Sequence, residues 1–200
     1  MAGTFKQPRF VICDPEMLRT LSDREFRAGL AEVVKAAVIA DAGLFARIEA
    51  TTFDALRSDT DLLTDAVSAS IRVKADIVER DERESGDRRK LNLGHTLAHA
   101  IEKCTNRLNH GEAVAVGTAL IADASVKLGV LAAEDRDRIA GVLKKLGFDL
   151  TPPVDVKRLL KEVDKDKKNE DGMLRIVVPV GIGDCDVRRM SHDEFAALFA

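Results

Sequence analysis

The sequence contains no tryptophan and no tyrosine, and its aromatic residues are eight phenylalanines. Proteins that bind nucleic-acid bases by stacking need aromatic side chains, and this chain has few to offer. Acidic and basic residues nearly balance, so the net charge is only −3. The basic excess typical of nucleic-acid and membrane-surface binding is therefore missing too, and we expect neither kind of partner.

Cysteine is also scarce, with Cys13, Cys104 and Cys185 far apart in the chain and no C-x-x-C pair. An odd number of widely spaced cysteines favours reduced, packed thiols over a disulfide framework. The first residues lack the apolar core of a secretory signal. We therefore expect a cytoplasmic protein.

Long apolar runs are missing as well. The most apolar stretch, 113–128, is interrupted by Asp123 and Lys127 and is short for a membrane span. It is more typical of a buried core helix. With 200 residues, 46% of them hydrophobic and 32% charged, the chain has the balance of a globular protein with a substantial core.

Helical periodicity dominates what is present. Ser22 and Glu25 have the spacing of a capping box and predict a helix that continues to about residue 40. Further helices are predicted over 41–50, 60–82, a stretch within 88–112 that carries His95 and His99, 110–128, 134–146, 155–165 and from 191 to the end. Short strands are predicted over 9–14 and 174–180, and Pro179 confines the second to an edge or a strand end.

These elements predict a mainly α fold with one or two short β-strands. Alternating strand and helix units are missing, which excludes a doubly wound sheet. Neither a G-x-G-x-x-G nor a Walker A segment occurs, so this sequence contains no recognisable nucleotide-binding loop.

Histidines cluster between residues 88 and 112. His95 and His99 are four residues apart, so a helix places them on one face, and His110 follows a loop-like segment. Three protein ligands that leave one position open are typical of catalytic zinc sites. The pattern indicates Glu32 and two of these three histidines as candidate ligands, and it leaves open which two.

The remaining polar residues suit an anionic substrate. Glu32 and Lys35 interrupt an apolar helix, either as a solvated surface pair or as functional groups. Several cations and one amide could bind carboxylate or phosphate, although basic residues also occur on ordinary solvated helix faces; they are Lys35, Lys74, Arg88, Asn92, Lys165, Lys167 and Lys168.

Several segments, in order, resemble the 3-dehydroquinate synthase family: G-T-F-K-Q-P-R-F-V-I-C-D, L-R-T-L-S-D-R-E-F-R-A-G-L-A-E-V-V-K, V-K-A-D-I-V-E-R-D-E-R-E-S-G-D-R-R-K-L-N-L-G-H-T-L-A-H-A-I-E, N-H-G-E-A-V-A-V-G and D-K-K-N. The resemblance extends from Gly3 almost to the end. It implies that 3–200 is the helical metal- and substrate-binding domain of the family. It also implies that the family's N-terminal NAD-binding α/β domain is absent from this chain.

The resemblance also implies residue roles. Glu32, His95 and His110 match the ligands of Zn²⁺, which Co²⁺ could replace, and His99 matches a histidine that assists proton transfer near the departing phosphate. The substrate side is implied to comprise Lys74 and Arg88 at the carboxylate, Asn92 and Lys167 (rather than Lys168) at the phosphate, Lys35 near the hydroxyls, and Glu84 in the surrounding polar network.

The implied activity is NAD⁺-dependent conversion of a phosphorylated sugar acid, 3-deoxy-D-arabino-heptulosonate 7-phosphate, to 3-dehydroquinate in the shikimate pathway. The family further implies a homodimer for the full-length enzyme. Because the NAD-binding domain is missing, we expect this piece to bind metal but to be inactive alone.

Three alternatives stay open. A related sugar-phosphate cyclase would share most of the site. A metal-dependent alcohol or glycerol dehydrogenase would need a further histidine four residues after the acidic ligand, where this chain has Ala36. A non-catalytic helical interaction module would retain the fold without the chemistry.

Overall fold

A computed structural model describes residues 8–82, 86–165 and 172–200. Helices account for most of this part of the chain, which confirms the predicted mainly α fold. They are α1 (Asp23–Ala40), α2 (Ala42–Glu49), α3 (Phe53–Ser58), α4 (Thr60–Arg80), α5 (His95–Cys104), α6 (His110–Lys127), α7 (Ala133–Lys145), α8 (Val156–Lys165) and α9 (His192–Ala197), with 3-10 helices at Pro15–Thr20 and Asp87–Asn92.

The core forms around α1 and α6, which pack against each other. The Ser22 side chain accepts a hydrogen bond from the Glu25 backbone N–H, so the predicted cap does start α1. In α6 most residues are buried, as expected for an apolar helix surrounded by α1, α5 and α7. None of the described helices is both long and apolar enough to span a membrane.

A β-hairpin covers one side of this core. Strands β1 (Met173–Gly181) and β2 (Asp184–Ser191) pair antiparallel, and Pro179 lies opposite Cys185 beside a register irregularity near the turn. The Gly183 N–H in the turn donates to the Val38 carbonyl at 3.0 Å, which ties the hairpin to the end of α1. The sequence predicted β1 but not β2.

The predicted strand over 9–14 is wrong, because this segment pairs with no other part of the described chain. Its side chains remain in solvent, with Phe10 76%, Val11 73% and Ile12 82% exposed. A strand needs a neighbour to accept its backbone hydrogen bonds, and β-branched composition alone cannot supply one. The short helix α3 was not predicted either.

Glycines bring three helix backbones into close contact. A Cβ on Gly111 of α6 would lie 2.2 Å from the Ala28 carbonyl oxygen of α1. A Cβ on Gly117 would lie 2.3 Å from the carbonyl oxygen of Gly94, which immediately precedes α5. Gly94 also has φ +76°, a conformation that favours glycine. The positions of α1, α5 and α6 therefore depend on these residues being glycines, which have no Cβ.

We expect Gly111→Ala to destabilise the protein by roughly 1–3 kcal/mol, because the new methyl group would overlap the α1 backbone. Gly29→Ala is the matched control, because Gly29 occupies an exposed position of α1 with nothing within 4 Å of an added Cβ. That change should raise stability by up to about 1 kcal/mol. Denaturant unfolding measures both, and equal effects of the two substitutions would contradict the close helix crossing.

The three cysteines are free thiols, as expected, but Cys13 is exposed rather than packed. Burial raises the pKa of the Cys185 thiol to about 12, and this thiol lies 3.8 Å from the Val38 carbonyl oxygen. Because the thiolate is the reactive form, we expect iodoacetamide at pH 8 to modify Cys13 well before Cys185. Peptide mass mapping checks this, and comparable rates for the two would show that the hairpin opens freely.

Candidate metal centre and substrate cavity

Three candidate metal ligands come together at the centre of the site. Two lie at the first residue of a helix and the third lies in the middle of another helix. His95 is the first residue of α5 and follows Gly94. His110 is the first residue of α6, where Asn109 and Glu112 form a complete capping box. Glu32 lies on α1, which α6 crosses at Gly111. The close helix packing thus places two imidazoles beside one carboxylate.

The atoms that could bind a metal converge on Glu32. Its Oε1 lies 3.7 Å from His95 Nε2 and 3.7 Å from His110 Nε2. Within the described residues, Glu32, His95 and His110 form a group whose candidate ligand atoms all lie within 4.8 Å of one another. The His99 ring centroid lies 5.5 Å from that of His95 and 6.5 Å from that of His110, and His99 is not a member of the group.

The hydrogen bonds around these ligands fit a bound cation. Glu32 Oε1 is buried without a hydrogen-bond partner, while Oε2 accepts from Lys35 Nζ at 2.8 Å. His95 Nδ1 lies 3.1 Å from the Leu93 carbonyl oxygen, which can only accept, so Nδ1 carries the hydrogen and Nε2 presents a lone pair. A buried oxygen with no partner and an imidazole lone pair facing it are a donor set suited to a divalent metal.

Electrostatics favour the ligating protonation states. Burial opposes ionisation of Glu32, but neighbouring groups, first among them Lys35 through its charge and hydrogen bond, hold the Glu32 pKa below its ordinary value. Burial, followed by the charge of Lys35, lowers the pKa of His95 and so favours the neutral imidazole. A carboxylate and a neutral imidazole are the forms that bind metal.

Lys35 is buried, with 7% of its surface exposed. The interpretation of Glu32 and Lys35 as a solvated surface pair is therefore wrong, although the two do pair with each other. Burial lowers the Lys35 pKa, and the attraction of Glu32 only partly opposes that effect. Lys35 is thus a buried amine that pairs with Glu32 and lines a cavity.

That cavity has a volume of about 570 Å³, and most of the predicted substrate residues line it. They are Lys35, Lys74, Arg88 and Asn92, beside Glu32 and His95. A second cavity of about 370 Å³ shares Asn92 and His95 with the first and also contains His99. His95, one of the candidate metal ligands, therefore lines both the cationic cavity and the cavity that His99 lines.

Asp81 holds the Arg88 segment in place. Its Oδ2 accepts from the backbone N–H of Gly86 at 2.7 Å and of Arg88 at 3.0 Å. The Arg88 guanidinium also donates to the Glu82 carbonyl oxygen at 2.6 Å. These bonds fix Arg88 at the cavity wall.

Some predicted residues cannot be placed. Glu84, Lys167 and Lys168 lie outside the described residues. Lys165 is described, and it pairs with Glu162 at 2.6 Å rather than lining either cavity.

Sequence reasoning missed Asp81 and Glu102. Glu102 Oε1 lies 3.0 Å from His110 Nδ1. Glu102 follows His95 by seven residues, which is two helical turns, so the shared face of α5 could have indicated it. Nothing in the sequence pattern singled out Asp81.

Comparisons with known proteins identify relatives of this chain. A family model described as 3-dehydroquinate synthase C-terminal matches residues 29–169. The 3-dehydroquinate synthase of Nostoc punctiforme is 43% identical over 189 residues, which cover 92% of this chain and 52% of that protein. The synthase of Nitrosospira multiformis is 44% identical, covering 92% and 51% respectively. The chain thus spans about half the length of these curated relatives.

Solved structures share the fold. The 2-epi-5-epi-valiolone synthase ValA from Streptomyces hygroscopicus subsp. jinggangensis, with NAD⁺ and Zn²⁺ bound, superposes with a TM-score of 0.81 at 26% identity, covering 93% of this chain and 53% of that one. A 2-deoxy-scyllo-inosose synthase, complexed with carbaglucose-6-phosphate, NAD⁺ and Co²⁺, gives a TM-score of 0.80 at 22% identity, covering 99% and 57%. By the match to its family model, this chain belongs to the family formed by the C-terminal part of 3-dehydroquinate synthases.

Proposed function

We propose that this chain is the metal- and substrate-binding half of a cytoplasmic 3-dehydroquinate synthase. The whole enzyme would convert 3-deoxy-D-arabino-heptulosonate 7-phosphate to 3-dehydroquinate and phosphate in the shikimate pathway. The observation that carries the proposal is the buried Glu32 Oε1, which has no hydrogen-bond partner and lies 3.7 Å from Nε2 of both His95 and His110. Family membership supports the choice of reaction.

The reaction requires transient oxidation at C5 of the substrate, loss of phosphate, re-reduction and an intramolecular aldol closure. Glu32, His95 and His110 would hold Zn²⁺ or Co²⁺, and the NAD⁺ site would belong to an N-terminal half outside these 200 residues. When bound, these groups would supply Lewis acidity at the oxidised hydroxyl and hydride exchange, respectively. The remaining tasks are binding, orientation and proton transfer, and they belong to side chains.

The two ends of the substrate match the two cavities. Lys74 and Arg88 line the larger cavity and would bind the substrate carboxylate. Asn92 borders both cavities, and His99 lines the smaller one, where the phosphate would lie. From there His99 could exchange a proton with the departing phosphate.

Lys35 would lie nearest the reacting hydroxyls. Its ammonium already binds Glu32 Oε2, so it can orient the proposed ligand and still line the cavity. Lys167 is our choice for a further phosphate contact, ahead of Lys168, and Glu84 for the polar network around the site. These three assignments rest on the sequence resemblance. A homodimer of the complete enzyme is proposed on the same basis.

The alternatives differ in what they require of the site. A metal-dependent alcohol dehydrogenase would need a ligand at Ala36, whose side chain lines the larger cavity without a ligating atom. Related cyclases act on substrates that need not carry a carboxylate. In such an enzyme Lys74 and Arg88 would have no substrate carboxylate to bind. A non-catalytic module would not need three converging ligand atoms.

Metal titration tests the ligand set. We expect Zn²⁺ to bind the 200-residue chain in a 1:1 ratio, and His95→Ala or His110→Ala to abolish that binding because two ligands cannot retain the ion. His99→Ala should still bind, and it serves as the matched histidine control. Calorimetry measures all four proteins. Loss confined to the His99 variant would refute the assignment, and no binding by the unaltered chain would favour the non-catalytic module.

Activity tests the substrate. The chain alone should release no phosphate from 3-deoxy-D-arabino-heptulosonate 7-phosphate in the presence of NAD⁺, because we place the cofactor site elsewhere. A chimera that carries the N-terminal half of the Nitrosospira multiformis synthase should release it. In that chimera Lys74→Ala should lower kcat/KM by roughly 10–100-fold, through loss of a charge-assisted contact.

Two outcomes would contradict this assignment. Turnover by the isolated chain would show that the cofactor site lies within it. A chimera that binds Zn²⁺ but prefers a sugar phosphate without a carboxylate would assign the chain to a related cyclase.

A further inference from the structure

The His110 ring is held from both sides. Its Nε2 lies 3.7 Å from Glu32 Oε1, and its Nδ1 lies 3.0 Å from Glu102 Oε1. The two nitrogens are on different edges of the ring, so the ring points from one carboxylate to the other. Glu102 is not a member of the candidate metal group.

The contact with Glu102 determines which nitrogen carries the hydrogen. An ionised carboxylate can only accept a hydrogen bond, so Nδ1 must donate. In a neutral imidazole the other nitrogen then has a free lone pair. For His110 that nitrogen is Nε2, which faces Glu32.

His95 has the same arrangement with a different acceptor. Its Nδ1 lies 3.1 Å from the Leu93 carbonyl oxygen, and its Nε2 also faces Glu32 Oε1. The backbone therefore fixes one imidazole, and a side chain fixes the other. Only the side-chain interaction can be removed by substitution.

We propose that Glu102 is a positioning residue that holds His110 in the Nδ1–H tautomer and so presents Nε2 to the metal. The inference rests on the proposed metal centre. Carboxylates that accept from a ligating histidine orient its ring and make it a stronger ligand, and their loss typically weakens metal binding by roughly 10–100-fold.

A purely structural role explains Glu102 less well. Its side chain is 35% exposed, so its removal creates no buried cavity. The start of α6 is held instead by the Asn109 and Glu112 capping box and by Arg24, whose Nε and Nη2 bind the two Glu112 oxygens at 2.8 and 2.6 Å. Loss of Glu102 should therefore change His110 and leave the helices in place.

Two measurements on the 200-residue chain test the proposal. Zn²⁺ titration should show about 10–100-fold weaker binding for Glu102→Ala. Glu102→Gln should bind more tightly than Glu102→Ala, because the amide oxygen still accepts from Nδ1. Glu134→Ala removes an exposed carboxylate from the first turn of α7 and should bind Zn²⁺ as the unaltered chain does.

Nitrogen NMR of the metal-free proteins reports the tautomer directly. His110 should be the Nδ1–H form in the unaltered chain and in Glu102→Gln, and a mixture in Glu102→Ala. Thermal unfolding without metal should be similar for all variants.

Unchanged Zn²⁺ affinity in Glu102→Ala, with the unaltered chain binding normally, would overturn the proposed role of Glu102 but not the metal centre. Equal weakening by Ala and Gln with an unchanged tautomer would also overturn it, because charge rather than the hydrogen bond would be responsible. No binding by the unaltered chain would instead overturn the metal centre, and this inference with it.

Discussion

The close approach of three helix backbones determines the geometry of everything else in this molecule. Gly111 lets α6 lie against α1, and Gly117 lets it lie against the residue that precedes α5. Because side chains are absent at these points, the first residues of α5 and α6 reach the same part of α1. His95, His110 and Glu32 meet there without any long loop to position them. The same close helix packing that builds the core therefore also places the candidate metal ligands.

The residues proposed to bind metal or substrate are held in place by neighbouring groups. Lys35 Nζ donates to Glu32 Oε2, and the Leu93 carbonyl oxygen accepts from His95 Nδ1. Asp81 fixes the backbone beside Arg88. Each hydrogen bond restricts the rotamer, the tautomer or the backbone position of the residue that it holds.

Periodicity predicted the long helices because their apolar residues repeat over many turns and end at clear signals, such as Gly129 with φ +70° and Gly147 with φ +91°. It failed where structure depends on a distant partner. The 9–14 segment has strand composition but no strand to pair with, whereas β2 is polar and forms because β1 lies beside it. The spacing of His95, His99 and His110 indicated a metal site, yet spacing could not choose two ligands of three. That choice depends on where α1 crosses. The family resemblance implies His95 and His110, and these two histidines form the candidate group with Glu32.

The position of the N-termini of α5 and α6 beside Glu32 affects the local electrostatics. The N-terminus of a helix carries a partial positive charge of about half a unit, arising from its aligned peptide dipoles. The starts of α5 and α6 both adjoin Glu32, and Gly94 offers no side chain to cap α5. The larger cavity is also lined by three basic side chains, Lys35, Lys74 and Arg88, against one acidic side chain, Glu32, in a protein whose net charge is −3. The local balance of charge in this cavity is therefore opposite in sign to that of the whole molecule, which favours an anion there.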